Sequence, residues 1–311
     1  MSSYLITGAG GCIGAWIIKQ LLDAGEQVAA FDISSDRRRL ELLCDDAAEA
    51  RTVAWEVGNI ANADDVLRAV ARFEPEAIIH LAALQVPFCK ADPVLGAQVN
   101  VVGTVNIFEA AKQHNIKRVV YASSVAATAM GTQTSWLETL YGAYKVCNEQ
   151  TARVYWSENG VSSVGIRPSV VYGPARDQGM SAKPTQAMLA AVAGKPFVIP
   201  FTGTVGFVYA AEAASAFIQA ATKERSGAAV FDLNGTPQTV ADVVKMLISH
   251  YPEADIRCEG EPLPFPADMS DRPLRAYIGD YERIDFVDGM TQTLAMFSRR
   301  LGENRIDTVF Q

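Results

Sequence analysis

The chain has 311 residues, 49% of them hydrophobic and 20% charged. That is an ordinary globular composition, with room for one large α/β domain and an appendage or for two modest domains. With 27 Lys and Arg against 35 Asp and Glu, the formal charge is -8, which argues against a broad surface for nucleic acid or an anionic membrane. Cys12, Cys44, Cys89, Cys147 and Cys258 are odd in number, far apart and in no metal-ligand spacing, so neither a disulfide framework nor a metal site is expected. The opening MSSYLITGAG has no basic segment, and no stretch approaches about 18 uninterrupted apolar residues. A cytoplasmic protein with no membrane attachment is expected.

YLIT (4–7) reads as a strand that stops at GAGGCIG, after which Ile13, Trp16, Ile17, Leu21 and Leu22 recur at helical spacing up to Gly25. QVAAFD is a second strand ending in Asp32. RTVAWEV, EAIIHLA and IKRVVYASS repeat the pattern, each preceded by a helical segment. Strands joined by helical crossovers predict a doubly wound parallel sheet. A long helix is expected over 93–113 and another from Leu140 towards Asn159, followed by the strand VSSVGIRP. Beyond Pro168, Gly and Pro punctuate VYGPARDQGMSAKP, GKPFVIP and EPLPFPAD. The expected division is therefore a larger domain of 1–170, with 207–235 returning to it, and a smaller substrate-binding domain of 171–206 and 236–311. Phe286, Met290, Leu294 and Phe297 mark one packing face of a C-terminal helix.

The glycines of TGAGGCIG lie on a strand-to-helix turn. Gly8 suits the tight turn, Gly11 a close approach to pyrophosphate, and Gly14 close helix packing, while the helix start offers unpaired N–H groups. Asp32 closes the next strand, where a carboxylate accepts from an adenosine ribose or simply caps the strand end. In the first role it repels a 2′-phosphate and favours NAD over NADP, whereas Arg37 would accommodate that phosphate if Asp32 turned away. The run Arg37-Arg38-Arg39 otherwise reads as a solvated helix face.

In LETLYGAYK, Tyr141 and Lys145 are four apart and share a helix face; Tyr144 points elsewhere and reads as packing. The pair begins a helix just after the strand that ends in Ser123 and Ser124. A phenol with a pKa near 10 needs roughly 4 kcal/mol of phenolate stabilisation to drop by about 3 units. One ammonium about 4 Å away supplies that much at an effective dielectric near 20. Tyr141 then suits the acid/base of an alcohol oxidation, with a serine hydroxyl holding the substrate oxygen. His80 reads as a buried, satisfied strand histidine, and Cys12 as a small packing residue rather than a nucleophile.

With these residues assembled, the chain resembles the extended short-chain dehydrogenase/reductases, the NAD-dependent epimerase/dehydratase family, over almost its whole length. TGAGGCIG, HLAA (80–83), NVVGTVNIFEAA (from Asn100) and RPSVVYGP (from Arg167) carry the likeness. The resemblance implies a Rossmann-type α/β sheet, NAD as cofactor and Ser124, Tyr141 and Lys145 as the catalytic set. It implies a cofactor site of Gly8, Gly11, Cys12, Ile13, Gly14, Asp32, Asn59, Ile60, Leu81, Ala82, Ala83, Asn100, Ala122, Tyr141, Lys145, Pro168 and Val170. Leu84, Gln85, Ser124, Val125, Thr128, Ser169 and Arg176 are the corresponding substrate candidates. It also implies a homodimer formed through the helices at 93–113 and 141–159.

The departures from the family pattern concern the substrate. Nucleotide-sugar members resemble RDFIYVDDVA, whose arginine grips the diphosphate; here the stretch reads VGFVYAAEAA, with Val205 in that place. A second family arginine has no counterpart in GEPLPFPADMSD. The interval from Ser124 to Tyr141 is short, and MGTQTSWLET contains no basic residue, so TSWLET is where a substrate is sought. A small alcohol or carbonyl compound, such as a sugar or sugar acid, is expected rather than a nucleotide sugar. For a carboxylate, Arg176 or Arg272 would serve. Three activities stay open: an NAD-dependent dehydrogenase/reductase, a sugar or nucleotide-sugar epimerase that retains its NADH, and a non-catalytic NAD(H)-binding protein.

Overall fold

The computed structural model describes residues 2–131 and 138–308. Its strands, in chain order, are β1 (Ser3–Thr7), β2 (Gln27–Asp32), β3 (Ala54–Val57), β4 (Ala77–His80), β5 (Arg118–Ala122), β6 (Ser163–Pro168), β7 (Val170–Tyr172), β8 (Phe197–Ile199), β9 (Thr204–Tyr209), β10 (Ala228–Leu233), β11 (Thr236–Thr239) and β12 (Ile256–Cys258). Seven of them form one parallel sheet in the order β10-β6-β5-β4-β1-β2-β3. Chain order reverses between β1 and β4, and at such a switch point the crossovers diverge and leave a crevice at the carboxyl ends of the strands.

The central strands are buried on both faces, which is why β4 is apolar at successive positions, AIIH, instead of alternating. On one face the helix Pro93–Gln113 buries Ile107 and Phe108. This helix is long and apolar enough to cross a membrane; here its inner face belongs to the core. A widened π-helical turn at Gln98–Val102 interrupts its register, and Val94 and Val102 are exposed. On the other face Ala210–Ala221 packs against Cys12–Asp23, their close approach permitted by a run of buried alanines.

The seventh strand, β10, was not among the strands read from sequence. Its register against β6 runs from Ala228↔Ser163 to Leu233↔Pro168. A three-stranded sheet, β11-β9-β7, and a pair, β12-β8, complete the strands. They share a second apolar core with the C-terminal helix Phe286–Gly302, which buries Phe286, Met290, Leu294 and Phe297 on the face expected from sequence. Near that helix's end the buried Arg300 donates to Leu42 O at 2.8 Å and Cys44 O at 2.7 Å, tying it to the segment after β2.

Candidate active site

A cleft of about 630 Å³ opens along the carboxyl ends of the parallel strands. The chain leaves β1 at Gly8, whose φ of +69° favours glycine and whose missing Cβ would stand 2.6 Å from Ala82 N. A Cβ on Gly14 would stand 2.5 Å from Gly8 O, so the helix Cys12–Asp23 can begin directly on the turn only with glycine there. Gly11 precedes this helix without a side-chain cap, and its first turn holds no acidic residue. The first N–H groups are left for an anion in the cleft.

Asp32 lies on the rim at the end of β2. Its Oδ2 accepts from Gly10 N at 2.9 Å and its Oδ1 from Ser34 N at 3.4 Å. A carboxylate has about four lone-pair sites, so capping the loop and accepting from a ribose are compatible roles. Arg37 is turned away: it donates to Ala50 O at 2.8 Å and Val53 O at 3.2 Å, with its guanidinium 4.8 Å above the Trp55 ring. The arginine run is not the uniform solvated face expected from sequence. Arg38 is exposed, but Arg39 lines the cleft, donating to Gly10 O at 2.7 Å and to Asp177 Oδ1 at 2.8 Å. It joins the glycine turn to the loop after β7, across which Trp16 Nε1 also donates to Pro174 O at 3.0 Å.

The catalytic candidates are placed by two short elements. Ser124 follows β5 and caps the turn Val125–Ala127, its Oγ accepting from Ala126 N at 3.2 Å. Thr139 caps the helix Leu140–Asn159, its Oγ1 accepting from Gly142 N at 3.0 Å. A Cβ at Gly142 would stand 2.6 Å from Ala126 O, so glycine lets the helix start press against the serine turn. Tyr141 and Ser124 are thereby brought into hydrogen-bonding contact. Tyr144 instead donates to Pro93 O at 2.9 Å, the packing role expected of it.

The electrostatics differ from the sequence expectation. Lys145 Nζ lies 5.4 Å from the centroid of the Tyr141 ring and donates to Ala122 O at 2.6 Å. Burial raises the Tyr141 phenol above its ordinary 10, and the Ser124 hydrogen bond and the Arg176 charge only partly oppose it. Burial also lowers the Lys145 ammonium to about 8. The ligand-free phenol is therefore protonated at neutral pH, and Lys145 alone does not depress it.

One helical turn beyond Lys145, the buried Glu149 accepts from Ser123 Oγ and, in a fork, from Arg167 Nε at 2.7 Å and Nη2 at 2.6 Å. This clamp fixes the helix of Tyr141 to the ends of β5 and β6. His80 is buried between Thr7 Oγ1 (2.7 Å) and Thr104 Oγ1 (3.1 Å), and burial lowers its pKa to about 3, so it is neutral and satisfied. The Cys12 thiol is pushed up to about 12 by burial, which leaves it inert as a nucleophile.

Of the residues assigned to the cofactor, all but Asn100 line the cleft. Asn100 is fully buried behind it, accepting from Leu84 N at 2.7 Å and donating to Leu84 O at 2.9 Å. It fixes the wall without forming it. Among the substrate candidates, Leu84, Gln85, Ser124, Val125, Ser169 and Arg176 line the cleft. Thr128 does not: its Oγ1 donates to Val125 O at 2.7 Å and holds the serine turn. Arg272 is exposed at a helix start away from the cleft. Of TSWLET, residues 134–137 lie outside the described residues. The sequence reading missed Arg39, Asp177, Met180, Ser181 and Phe265, all in the cleft wall. The signals available were the third arginine of the basic run, the polar residues inside the loop GPARDQGMS, and the aromatic of LPFP.

The doubly wound sheet, the uncapped glycine turn, the acidic rim and the serine–tyrosine–lysine group together define an extended short-chain dehydrogenase/reductase fold with a dinucleotide cleft. The chain belongs to the NAD-dependent epimerase/dehydratase family, whose model matches residues 4–234. It is 32% identical over 230 residues to a UDP-glucose 4-epimerase of Mycolicibacterium smegmatis, covering 70% of this chain and 72% of that one. In fold it is similar to a UDP-glucose 4-epimerase of Thermus thermophilus solved with NAD (TM-score 0.76, 24% identity, 95% of this chain and 98% of that one). It is also similar in fold to a GalE-like L-threonine dehydrogenase from Cupriavidus necator (TM-score 0.80, 21% identity, 94% of this chain and 99% of that one). NAD is the cofactor of the family, and the unpaired helix N–H groups and the rim carboxylate of this cleft fit it.

Proposed function

We propose that this protein is an NAD-dependent oxidoreductase acting on a small alcohol or carbonyl compound that is not a nucleotide sugar. One observation carries the choice: Val205, at the place of the diphosphate-binding arginine, is 2% exposed within the apolar core of β7, β9 and the C-terminal helix. Charge-assisted hydrogen bonds of the kind that arginine would make contribute about 1.5 to 3 kcal/mol each. In addition, Phe265, from the segment lacking the second arginine, lines the cleft as an apolar wall.

Bound NAD supplies a hydride acceptor. The chain's own residues then have distinct tasks. Ser124 donates to the substrate oxygen and keeps it beside Tyr141. In carbonyl reduction the protonated Tyr141 gives its proton to that oxygen; in alcohol oxidation Tyr141 first releases its own proton to solvent, and the phenolate then receives the hydroxyl proton. Lys145, with one donor held on Ala122 O, has further N–H groups for the ribose and for the developing phenolate. Arg176 also favours the phenolate electrostatically. Purified protein incubated with NAD and a panel of alcohols is expected to form NADH and oxidised product in equal amounts.

A second reading, an epimerase, is supported by the 32% identity to a UDP-glucose 4-epimerase. Formation of an isomer without net NADH would establish it. The contact between Ser124 and Tyr141 speaks against a purely NAD-binding role. We further propose a homodimer. The helices Pro93–Gln113 and Leu140–Asn159 expose Val94, Leu95, Val102, Val154 and Trp156, an apolar set suited to a self-complementary interface. Light scattering is expected to give the mass of two chains; the mass of one would contradict it. The domain division read from sequence and a cytoplasmic location are kept as parts of this proposal, the latter supported by five unpaired cysteines.

A further inference from the structure

Three cationic side chains line the cleft among the described residues, and they differ in what they hold. Arg39 is committed to Gly10 O and Asp177, and Lys145 to Ala122 O. Arg176 donates from Nη2 to Ser181 Oγ at 3.2 Å, while its Nε is buried with no hydrogen-bond partner among the described residues. The neighbouring carboxylate, Asp177, is already paired with Arg39 at 2.7 Å and lies 3.8 Å from Arg38.

Gly179, where φ is +95°, lies beside Arg176. A Cβ there would stand 2.0 Å from Gln85 Oε1 and 3.4 Å from Arg176 Nη2, so Gln85 and the guanidinium both flank the space that glycine leaves open. A second buried polar atom without a partner, Ser169 Oγ, lines the same cleft. Arg176 is only partly buried, but a guanidinium with one donor buried and unpartnered is costly unless an anion accompanies it. Its planar fork matches the two oxygens of a carboxylate.

We propose that Arg176 anchors the carboxylate of a small hydroxy acid or its keto counterpart, with the reacting oxygen at Ser124 and Tyr141. This deepens the oxidoreductase reading and rests on it. In the oxidation, the carbinol C–H bond would break with its electron pair leaving as hydride to a bound nicotinamide, the hydroxyl proton would pass to Tyr141 in its phenolate form, and a C=O bond would form. The carboxylate on Arg176 is unchanged throughout. The same charge that holds the anion lies near the phenol, so binding and proton transfer are coupled through one side chain.

The test separates binding from turnover. NADH-loaded full-length protein is titrated calorimetrically with gluconate, glycerate and glucuronate and with their uncharged analogues sorbitol, glycerol and glucose. At least one acid is expected to bind at least tenfold tighter than its analogue, and Arg176→Gln to abolish that preference while leaving NADH affinity within about twofold. Arg176→Lys, which keeps the charge and loses the fork, is expected to recover part of it. Equal binding of acids and analogues, or no binding of any acid, would overturn the proposal. So would a loss of NADH affinity in Arg176→Gln as large as the loss of acid binding, because that assigns the arginine to the cofactor. Acid binding through Arg176 without NADH formation from any acid in the NAD-loaded protein would sustain the anchor and count against the oxidoreductase reading alone.

Discussion

The two ends of the cleft are built on different principles. At the cofactor end the backbone does the work: a left-handed glycine, an uncapped helix start and a carboxylate that braces the loop it serves. At the substrate end side chains from separated segments converge, namely Gln85, Ser124, Tyr141, Ser169 and Arg176, and two of them hold buried atoms without partners. A backbone held in place by the glycine turn makes the first end a preformed socket. Unmet side-chain donors make the second end dependent on what binds there.

Perturbing each end separately sharpens this contrast. The largest effect is expected from Tyr141→Phe, which removes the proposed proton carrier without touching the glycine turn. Turnover should fall by roughly 10³-fold, with NAD affinity changed no more than about threefold; an equal fall in both would break the division between the ends. Gly8→Ala comes next. Its φ of +69° and the 2.6 Å approach to Ala82 N predict a stability loss of about 2 to 3 kcal/mol and a parallel loss of NAD binding, read by melting with and without cofactor.

The smallest effect has the opposite sign. Lys145 is 4% exposed, and burial depresses its ammonium to about 8, whereas an unfolded lysine titrates near 10.4. Between those values the unfolded chain binds more protons than the folded one, so stability rises with pH; below about pH 8 the folded protein carries the full cost of the buried charge. In NAD-free protein, Lys145→Met is therefore expected to raise the melting temperature at pH 7, by the equivalent of about 1 to 3 kcal/mol. The difference should vanish as the pH passes 10, even though the variant is impaired in turnover. A lower melting temperature at pH 7 would show that the bond to Ala122 O outweighs desolvation.

Legibility in the sequence follows the same contrast. The strands through β6 and the glycine turn were readable because parallel strands need continuous apolar runs and a positive φ needs glycine. Tyr141 and Lys145 were readable because helical spacing fixes which side chains share a face. β10 was not singled out: Gly227 and Asn234-Gly235 bracket it, but its place beside β6 depends on a long connection through the second core. Asn100 was misplaced because its motif marks its importance but not its depth; only the structure shows it holding Leu84 from behind. Arg39 and Asp177 lie 138 residues apart in sequence, and no local pattern announces that they meet.

The proposed reaction is a net oxidation at Tyr141 in which reduced cofactor leaves the protein. It is tested most directly with a hydroxy substrate deuterated at the carbinol carbon and an excess of NAD. Deuterium is expected in released NADH, one equivalent for each oxidised product, and neither species with Tyr141→Phe. Deuterium retained in an isomer of the substrate, with no NADH released, would contradict it.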